Sequence, residues 1–222
     1  MPKFVGIKKK RLVVIDGMPG SGKTTCATMI ANKLTSWNII NRCILELEEN
    51  HPLFIHDHRF SSFEDDEQAD LYIRLLQSKF KDFVNKCTND IHDVTIIESV
   101  LFQDAINCAH HMGMNHDKLL HLSSSLMGIL EPLEPLLIYF YQVDVEGQWR
   151  FICGVRGNEW GPVSLHTDDD FREAGILWGG SQSFVRSIID SWEVPKIIIE
   201  NKDYHWDEYS NRIIQFVRNS IR

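Results

Sequence analysis

Gly17, Met18, Pro19, Gly20, Ser21, Gly22, Lys23, Thr24 and Thr25 form a run whose residue types suit one task, holding a chain of phosphates. The run fits G-x-x-x-x-G-K-[ST] at every fixed position. It follows a short apolar stretch, "RLVVID", and leads into a helical pattern, the two contexts the motif requires. Glycines permit turns closed to other residues, so successive backbone N–H groups can point inward at phosphate oxygens. The helix that follows adds unsatisfied amides and the positive end of its dipole. Lys23 supplies a mobile cation for the outer phosphates, and the Thr24 hydroxyl is placed to bind Mg²⁺. A glycine-rich turn without chemistry is the alternative, and the agreement of motif with context sets it aside.

Other chemistry-bearing residues collect at the ends of apolar runs. Glu98 closes "VTIIES", at the carboxyl edge of a strand that reads as buried, where ligands gather in open α/β sheets. The alternative is a solvated strand end, but buried strands rarely end on an acid without reason. Glu46, Glu48 and Glu49 cluster where a second strand ends, a pattern shared with ordinary solvated termini. Asp144 opens a helix carrying Arg150 and Arg156, with Arg172 and Arg186 beyond; each arginine could equally sit in a surface ion pair. His56-Asp57-His58 suggests a metal site at first glance. Adjacent residues on an extended chain point in alternating directions, and no third ligand is evident. The same objection meets His110, His111 and His116, so both sets read as surface or core-edge histidines. Phe54, Phe60, Phe63 and Tyr72 could stack on a nucleobase or pack against one another.

The elements that must position these groups alternate between β-branched runs and helical periods, the sign of a parallel sheet with crossover helices. "RLVVID" is the first strand, and a helix follows from Lys23 to about Ser36. "CILELEE" is predicted as the second strand, "VTIIES" the third, "LLIYFYQV" the fourth and "PKIIIEN" the fifth. Helices are predicted over "EQADLYIRLLQSKFKDFVNKC", "FQDAINCAHHM", "HDKLLHLSSSLMGILEPL", "DVEGQWRFICGVRG", capped by Asp144, and "WDEYSNRIIQFVRNSI". "NEWGPVSLHTDDDFREAG" reads as a loop followed by a helix start. The 222 residues suit a single domain able to bury a real core.

The net charge of −8 argues against a general nucleic-acid binder, because phosphate backbones are held by clustered Lys and Arg. No segment approaches the ~20 apolar residues of a membrane helix. The basic run from Lys8 to Arg11 reads as a solvated tail in preference to a targeting patch. The start is not a signal peptide, since its apolar run is short and leads straight into the phosphate loop. Five scattered cysteines with no CxxC pair fit reduced thiols and a cytoplasmic setting.

Among nucleotide-binding classes, a GTPase would show N-K-x-D, whereas Asn201, Lys202 and Asp203 are contiguous, and no D-x-x-G switch precedes them. Motor and transporter ATPases need further machinery for which the chain has little room. What remains is a compact kinase. The order of phosphate loop, acidic second strand, helical insert, third strand ending in an acid, fourth strand and arginine-bearing helix resembles the nucleoside and nucleotide kinases of the P-loop class. The thymidylate and deoxynucleoside kinase branch is nearest.

That resemblance implies a three-layer α/β fold with a five-stranded parallel sheet of order 2-3-1-4-5. It implies an acceptor-binding insert at about 50–90 and a lid at about 156–182, bracketed by Trp160 and Trp178, which either close over a ligand or anchor the loop. It further implies ATP as donor and Mg²⁺ held by Thr24 and Glu98, the latter through water unless it hydrogen-bonds the acceptor. Glu48, ahead of Glu49, would accept the proton of the attacking hydroxyl, and Arg156, ahead of Arg150, would clamp the moving phosphoryl group. The sequence departs from the family at Glu98-Ser99-Val100, where an arginine is expected after the acid. The expected activity is phosphorylation of a small hydroxylated or phosphorylated molecule, a nucleoside or nucleotide first, with no nucleic-acid or membrane partner and with a homodimer compatible. The alternative is a regulatory or partner-binding ATPase. The segment 51–70 discriminates, since a kinase needs it to shape an acceptor pocket.

Overall fold

Leu12 and Val14 turn to one side of the first strand and Val13 and Ile15 to the other, and all four are buried. A period of two with both faces covered is the signature of a central parallel strand. The computed structural model describes residues 9–160 and 163–221, with the Trp160 side chain excluded. The expectations for Lys8 and for the Trp160 ring therefore lie outside the described residues.

The strand β1 (Arg11–Gly17) lies at the centre of a five-stranded parallel sheet with β2 (Asn41–Ile44), β3 (Val94–Glu98), β4 (Leu136–Gln142) and, after a separate hairpin of β5 (Glu159–Trp160) and β6 (Val163–Ser164), β7 (Lys196–Asn201). The sheet order is β2-β3-β1-β4-β7, the expected arrangement with β7 as its fifth strand. On one face α1 (Lys23–Ser36) and the closing helix α7 (Trp206–Ser220) pack Ile30, Leu34, Ile213 and Val217 against Val13 and Ile15. On the other, α2 (Asp66–Asn89), α4 (His116–Leu130) and α6 (Asp168–Ser191) bring Phe80, Leu122, Leu126 and Ile189 onto the Leu12 and Val14 side. Burying such a side chain contributes about 1.5–3 kcal/mol. The connections leave β1 and β3 toward opposite sides of the sheet, so a crevice opens at their carboxyl ends, where ligands bind in such folds.

Local chemistry fixes the helix starts. Asp144 caps α5 (Val145–Arg156) by accepting from Gly147 N at 2.8 Å, as expected. Thr167 and Asp170 form a reciprocal capping box at the start of α6.

Three segments differ from expectation. The second strand ends at Ile44, because the chain turns where Glu48 N donates to Leu45 O; Glu46, Glu48 and Glu49 therefore lie beyond the strand. The helix after β3 begins as a π-helix, Val100–Asn107, and only the short α3 (Cys108–His111) is α-helical. The stretch read as a loop before α6 instead contributes the paired strands β5 and β6. Two-residue strands carry no period, so the hairpin leaves no pattern in the sequence. Among the described residues no helix is long and apolar enough to cross a membrane.

Candidate functional site

The phosphate loop is shaped by close approach. A Cβ on Gly17, at φ 144°, would lie 2.6 Å from the Phe140 carbonyl, and one on Gly20, at φ 70°, would meet Ile152 at 2.5 Å. Only glycine fits at either place. Pro19 O accepts from Gln148 Nε2 on α5 at 3.4 Å, and the Tyr204 hydroxyl donates to Gln148 Oε1 at 2.9 Å. The loop is thus held from outside. The Ser21 hydroxyl within it is buried and finds no partner among the described residues.

Lys23, the first residue of α1, is only 4% exposed. Its Nζ donates to Met18 O at 2.9 Å and to Gln103 Oε1 at 2.7 Å. Burial lowers its pKa, and the carboxyl groups of Asp16, Glu46, Glu98 and Asp104 oppose that shift. Asp16, the penultimate residue of β1, is fully buried and accepts from three backbone amides, Gly17 N and Phe102 N at 2.8 Å and Gln103 N at 3.0 Å. Burial outweighs these bonds and pushes its carboxyl up to about 6.

Glu98, at the end of β3, accepts from the Thr24 hydroxyl at 2.6 Å on one oxygen and from Glu46 N at 3.2 Å on the other. The pairing of Ile15 with Glu98 across the sheet places this acid beside the loop. Thr24 and Glu98 are hard oxygen donors side by side on the wall of this site. Among the described residues no three His, Cys, Asp or Glu side chains are gathered to hold a metal alone. That donor set fits Mg²⁺, which takes one or two protein oxygens, keeps several waters and shares phosphate oxygens.

The π-helix brings in residues that an α-helix would direct elsewhere. Ser99 adopts φ 69°, and Asp104 N donates to Ser99 O at 3.0 Å, an i to i+5 bond. The wide turn aims Phe102 N and Gln103 N at Asp16 and carries the Gln103 side chain between charges. Gln103 Nε2 lies 3.5 Å from Glu46 Oε1 and 3.4 Å from Asp104 Oδ1 while its oxygen holds Lys23.

Among the cavities that adjoin here, three share lining residues in succession. A polar one of about 470 Å³ is lined by Lys23, Thr24, Glu46, Glu98, Asp104 and Arg156, among others. An apolar one of about 350 Å³ shares Gly22 and Thr25 with it and is walled by Cys26, Met29, Phe140 and Trp206. A second apolar one of about 280 Å³ shares Asp104 with the polar cavity and is walled by Leu53, Phe54, Phe60, Tyr72 and Val100.

The structure brings Lys23, Thr24, Glu98 and Arg156 together on the polar cavity. Glu48 stands apart: its carboxylate pairs with Arg42 at 3.2 Å, and Glu46 takes the place at the cavity wall. Arg150 is engaged by Glu146 and Asp168, Arg172 by Asp169, and Arg186 by Asp190, all away from the cavity lining. Phe60, Phe63 and Tyr72 pack on one another with ring centroids 4.6–5.3 Å apart, so Phe63 is core while Phe60 and Tyr72 also form a cavity wall. Trp178 lines the polar cavity and packs on Trp149 at 5.1 Å. His56 Nε2 lies 3.2 Å from His51 O, and the His58 ring packs on Phe60 at 4.7 Å. His110 and His116 pack on Phe184, and His111 on Trp178.

Asp16, Gln103 and Asp104 are the residues around the loop that sequence reading does not single out, whereas it names Glu46 with Glu48 and Glu49. Asp16 alone carries a signal, an acid ending an apolar strand directly before the loop glycine.

Burial, reinforced by the charges of Glu46 and Asp16 and opposed by Lys23, pushes the Asp104 carboxyl up to about 8. The folded protein therefore keeps this proton where the unfolded chain loses it. The stabilisation is fully present below about pH 4 and is lost progressively as pH rises through about 8. Asp104→Asn removes that dependence, so relative to wild type the variant is expected to gain about 2 kcal/mol between pH 5 and 8, after discounting for partial exposure. Thermal melts of both proteins across that range check it, and parallel curves would contradict it. His51 must be cancelled by this comparison, since burial holds its ring down to about 4 and acts in the opposite sense.

No protein-family model and no curated protein matches the chain in sequence. Solved structures do match. Thymidylate kinase from Candida albicans superposes with a TM-score of 0.55 at 12% identity, covering 96% of this chain and 94% of that one. Thymidylate kinase from Ehrlichia chaffeensis gives 0.54 at 10% identity, covering 95% and 99%. The chain has the α/β fold of the thymidylate kinases, matched over nearly its full length.

Proposed function

We propose that the protein transfers the γ-phosphoryl group of Mg-ATP to a hydroxyl group of a small acceptor. The observation that carries this reading is the adjacency of three cavities through shared residues. An apolar chamber able to take a base shares Gly22 and Thr25 with a polar chamber at the phosphate loop, and that chamber shares Asp104 with a further apolar one. A protein that only hydrolysed its nucleotide would have no use for the last. The segment 51–70 supports the same reading, because it buries Leu53 and Phe63 and walls the third chamber, as an acceptor site requires.

In this account the loop amides and Lys23 hold the donor phosphates, and Trp206 flanks the base. Thr24 and Glu98 would hold Mg²⁺, which supplies charge neutralisation on the phosphate oxygens when bound. The acceptor oxygen attacks the γ-phosphorus and forms the new O–P bond. The bond from that phosphorus to the β-phosphate oxygen breaks, and its electron pair leaves on ADP. Glu46 receives the hydroxyl proton, a role its place on the polar cavity suits better than that of Glu48. Arg156 steadies the moving group with its planar fork of donors.

A pair of variants tests the assignment. Glu46→Ala is expected to lower kcat for transfer about 100-fold, the usual scale for a lost proton acceptor. Glu48→Ala, which only breaks an ion pair with Arg42, is expected to stay within about twofold. ADP release at saturating Mg-ATP with acceptor present measures both. The reverse order of effects would return the role to Glu48.

A further inference from the structure

The chamber that would receive the acceptor has walls of a particular kind. Phe54, Phe60 and Tyr72 present aromatic rings, Leu53 and Val100 add aliphatic surface, and Asp104 is the one acid. Among the described residues no lysine or arginine lines this chamber, and its basic side chain, His56, has Nε2 3.2 Å from His51 O. In the polar chamber next door the lining cations are Lys23 and Arg156, facing Glu46, Glu98 and Asp104. Lys23 is already committed to the phosphate loop through Met18 O and Gln103.

A phosphate group on the acceptor would therefore meet the carboxyl groups of Glu46 and Glu98, with Arg156 as the lining cation outside the loop. Like charges facing one another across a cavity repel. Ser99, immediately after Glu98, brings no cation to offset them. The chamber walls ask for the opposite charge. Aromatic faces attract an ammonium group through their ring quadrupoles, and a carboxylate pairs with it directly. Asp104 is placed for that pairing: among the described residues its buried Oδ2 accepts no hydrogen bond, and Oδ1 receives the long 3.4 Å contact from Gln103 Nε2.

We infer that the acceptor is an unphosphorylated alcohol bearing a cationic amine, with the ammonium group held between Asp104 and the Phe54, Phe60 and Tyr72 rings and the hydroxyl directed to the polar chamber. This rests on the kinase reading above and names the substrate class for that same site. The reaction is the one already balanced: the amine-bearing alcohol gains the phosphoryl group on oxygen, ADP leaves, and Glu46 takes the proton.

Titration calorimetry on the full chain, loaded with Mg²⁺ and a non-hydrolysable ATP analogue, tests the inference with matched probes. These are 2-amino-3-phenylpropan-1-ol, its neutral counterpart 3-phenylpropan-1-ol, thymidine and thymidine 5′-monophosphate. The amino alcohol is expected to bind at least about tenfold tighter than each of the others, on the scale of one cation–ring and one charge-assisted contact. Asp104→Asn should shrink the preference over the neutral alcohol to less than about threefold, its melting curve confirming that it folds. Equal affinity for the amino and neutral alcohols, tighter binding of thymidine or its monophosphate, absence of amine binding, or a preference that survives Asp104→Asn would overturn the inference. ADP release from Mg-ATP with the same probes is a separate arm. An amine preference in binding without turnover would sink the kinase reading and leave the chamber assignment standing.

Discussion

Lys23→Ala is expected to lower phosphoryl transfer from Mg-ATP by about 1,000-fold or more, the scale on which a buried charge aimed at reacting phosphates contributes. The side chain is nearly enclosed, and its Nζ is held by Met18 O and Gln103 Oε1 among four carboxyl groups. With the ammonium gone, those carboxyl groups face the incoming phosphates unopposed, so both nucleotide affinity and turnover fall. The fold should survive, because the loop is fixed by its glycines, by Gln148 and by the packing of α1 on β1. Lys23→Arg is expected to be nearly as damaging, since a planar guanidinium does not fit a slot shaped to one ammonium. Melting curves alongside ADP release separate lost chemistry from lost folding. Activity within tenfold of wild type in Lys23→Ala would remove Lys23 from the mechanism.

Glu98→Gln comes next in size. The amide keeps an oxygen for the Thr24 hydroxyl but loses the charge, and its NH₂ group faces Glu46 N, a donor against a donor. The Mg²⁺ concentration giving half-maximal activity is expected to rise about tenfold, with kcat falling about 100-fold, as for other losses of a charged or orienting partner at a metal. A fall in kcat at an unchanged Mg²⁺ requirement would show that Glu98 positions Thr24 and the Glu46 turn without holding the ion. A variant indistinguishable from wild type in both respects would remove it from the site.

The parts of this site that were legible in the sequence are those governed by backbone rules. Gly17, Gly20, Gly22, Lys23 and Thr24 announce the loop because their spacing is forced by φ values and close approach. Glu98 is readable because it ends a run buried on both faces, and Arg156 because it ends a helix capped by Asp144. Gln103 and Asp104 are not readable. The i to i+5 turn begun at Ser99 breaks the 3.6 period that assigns helix faces, and nothing in "SVLFQDAIN" distinguishes a π-helix from an α-helix. The choice between Glu46 and Glu48 fails for a related reason. Strand alternation would place both on one face, but β2 ends at Ile44, and a turn separates them. The sheet order is legible through resemblance, and the β5–β6 hairpin is too short to carry any pattern.

The destination of the terminal phosphate tests the central claim most directly. The full chain would be incubated with Mg²⁺ and ATP labelled in the γ position, with a mixture of amine-bearing alcohols and nucleosides, and the label followed into organic and inorganic phosphate. The account predicts that most of the label appears on an organic acceptor, that its formation depends on that acceptor's presence, and that Lys23→Ala abolishes it. Label released entirely as inorganic phosphate, at a rate no acceptor alters, would contradict the account and make the protein a nucleotide-hydrolysing regulator.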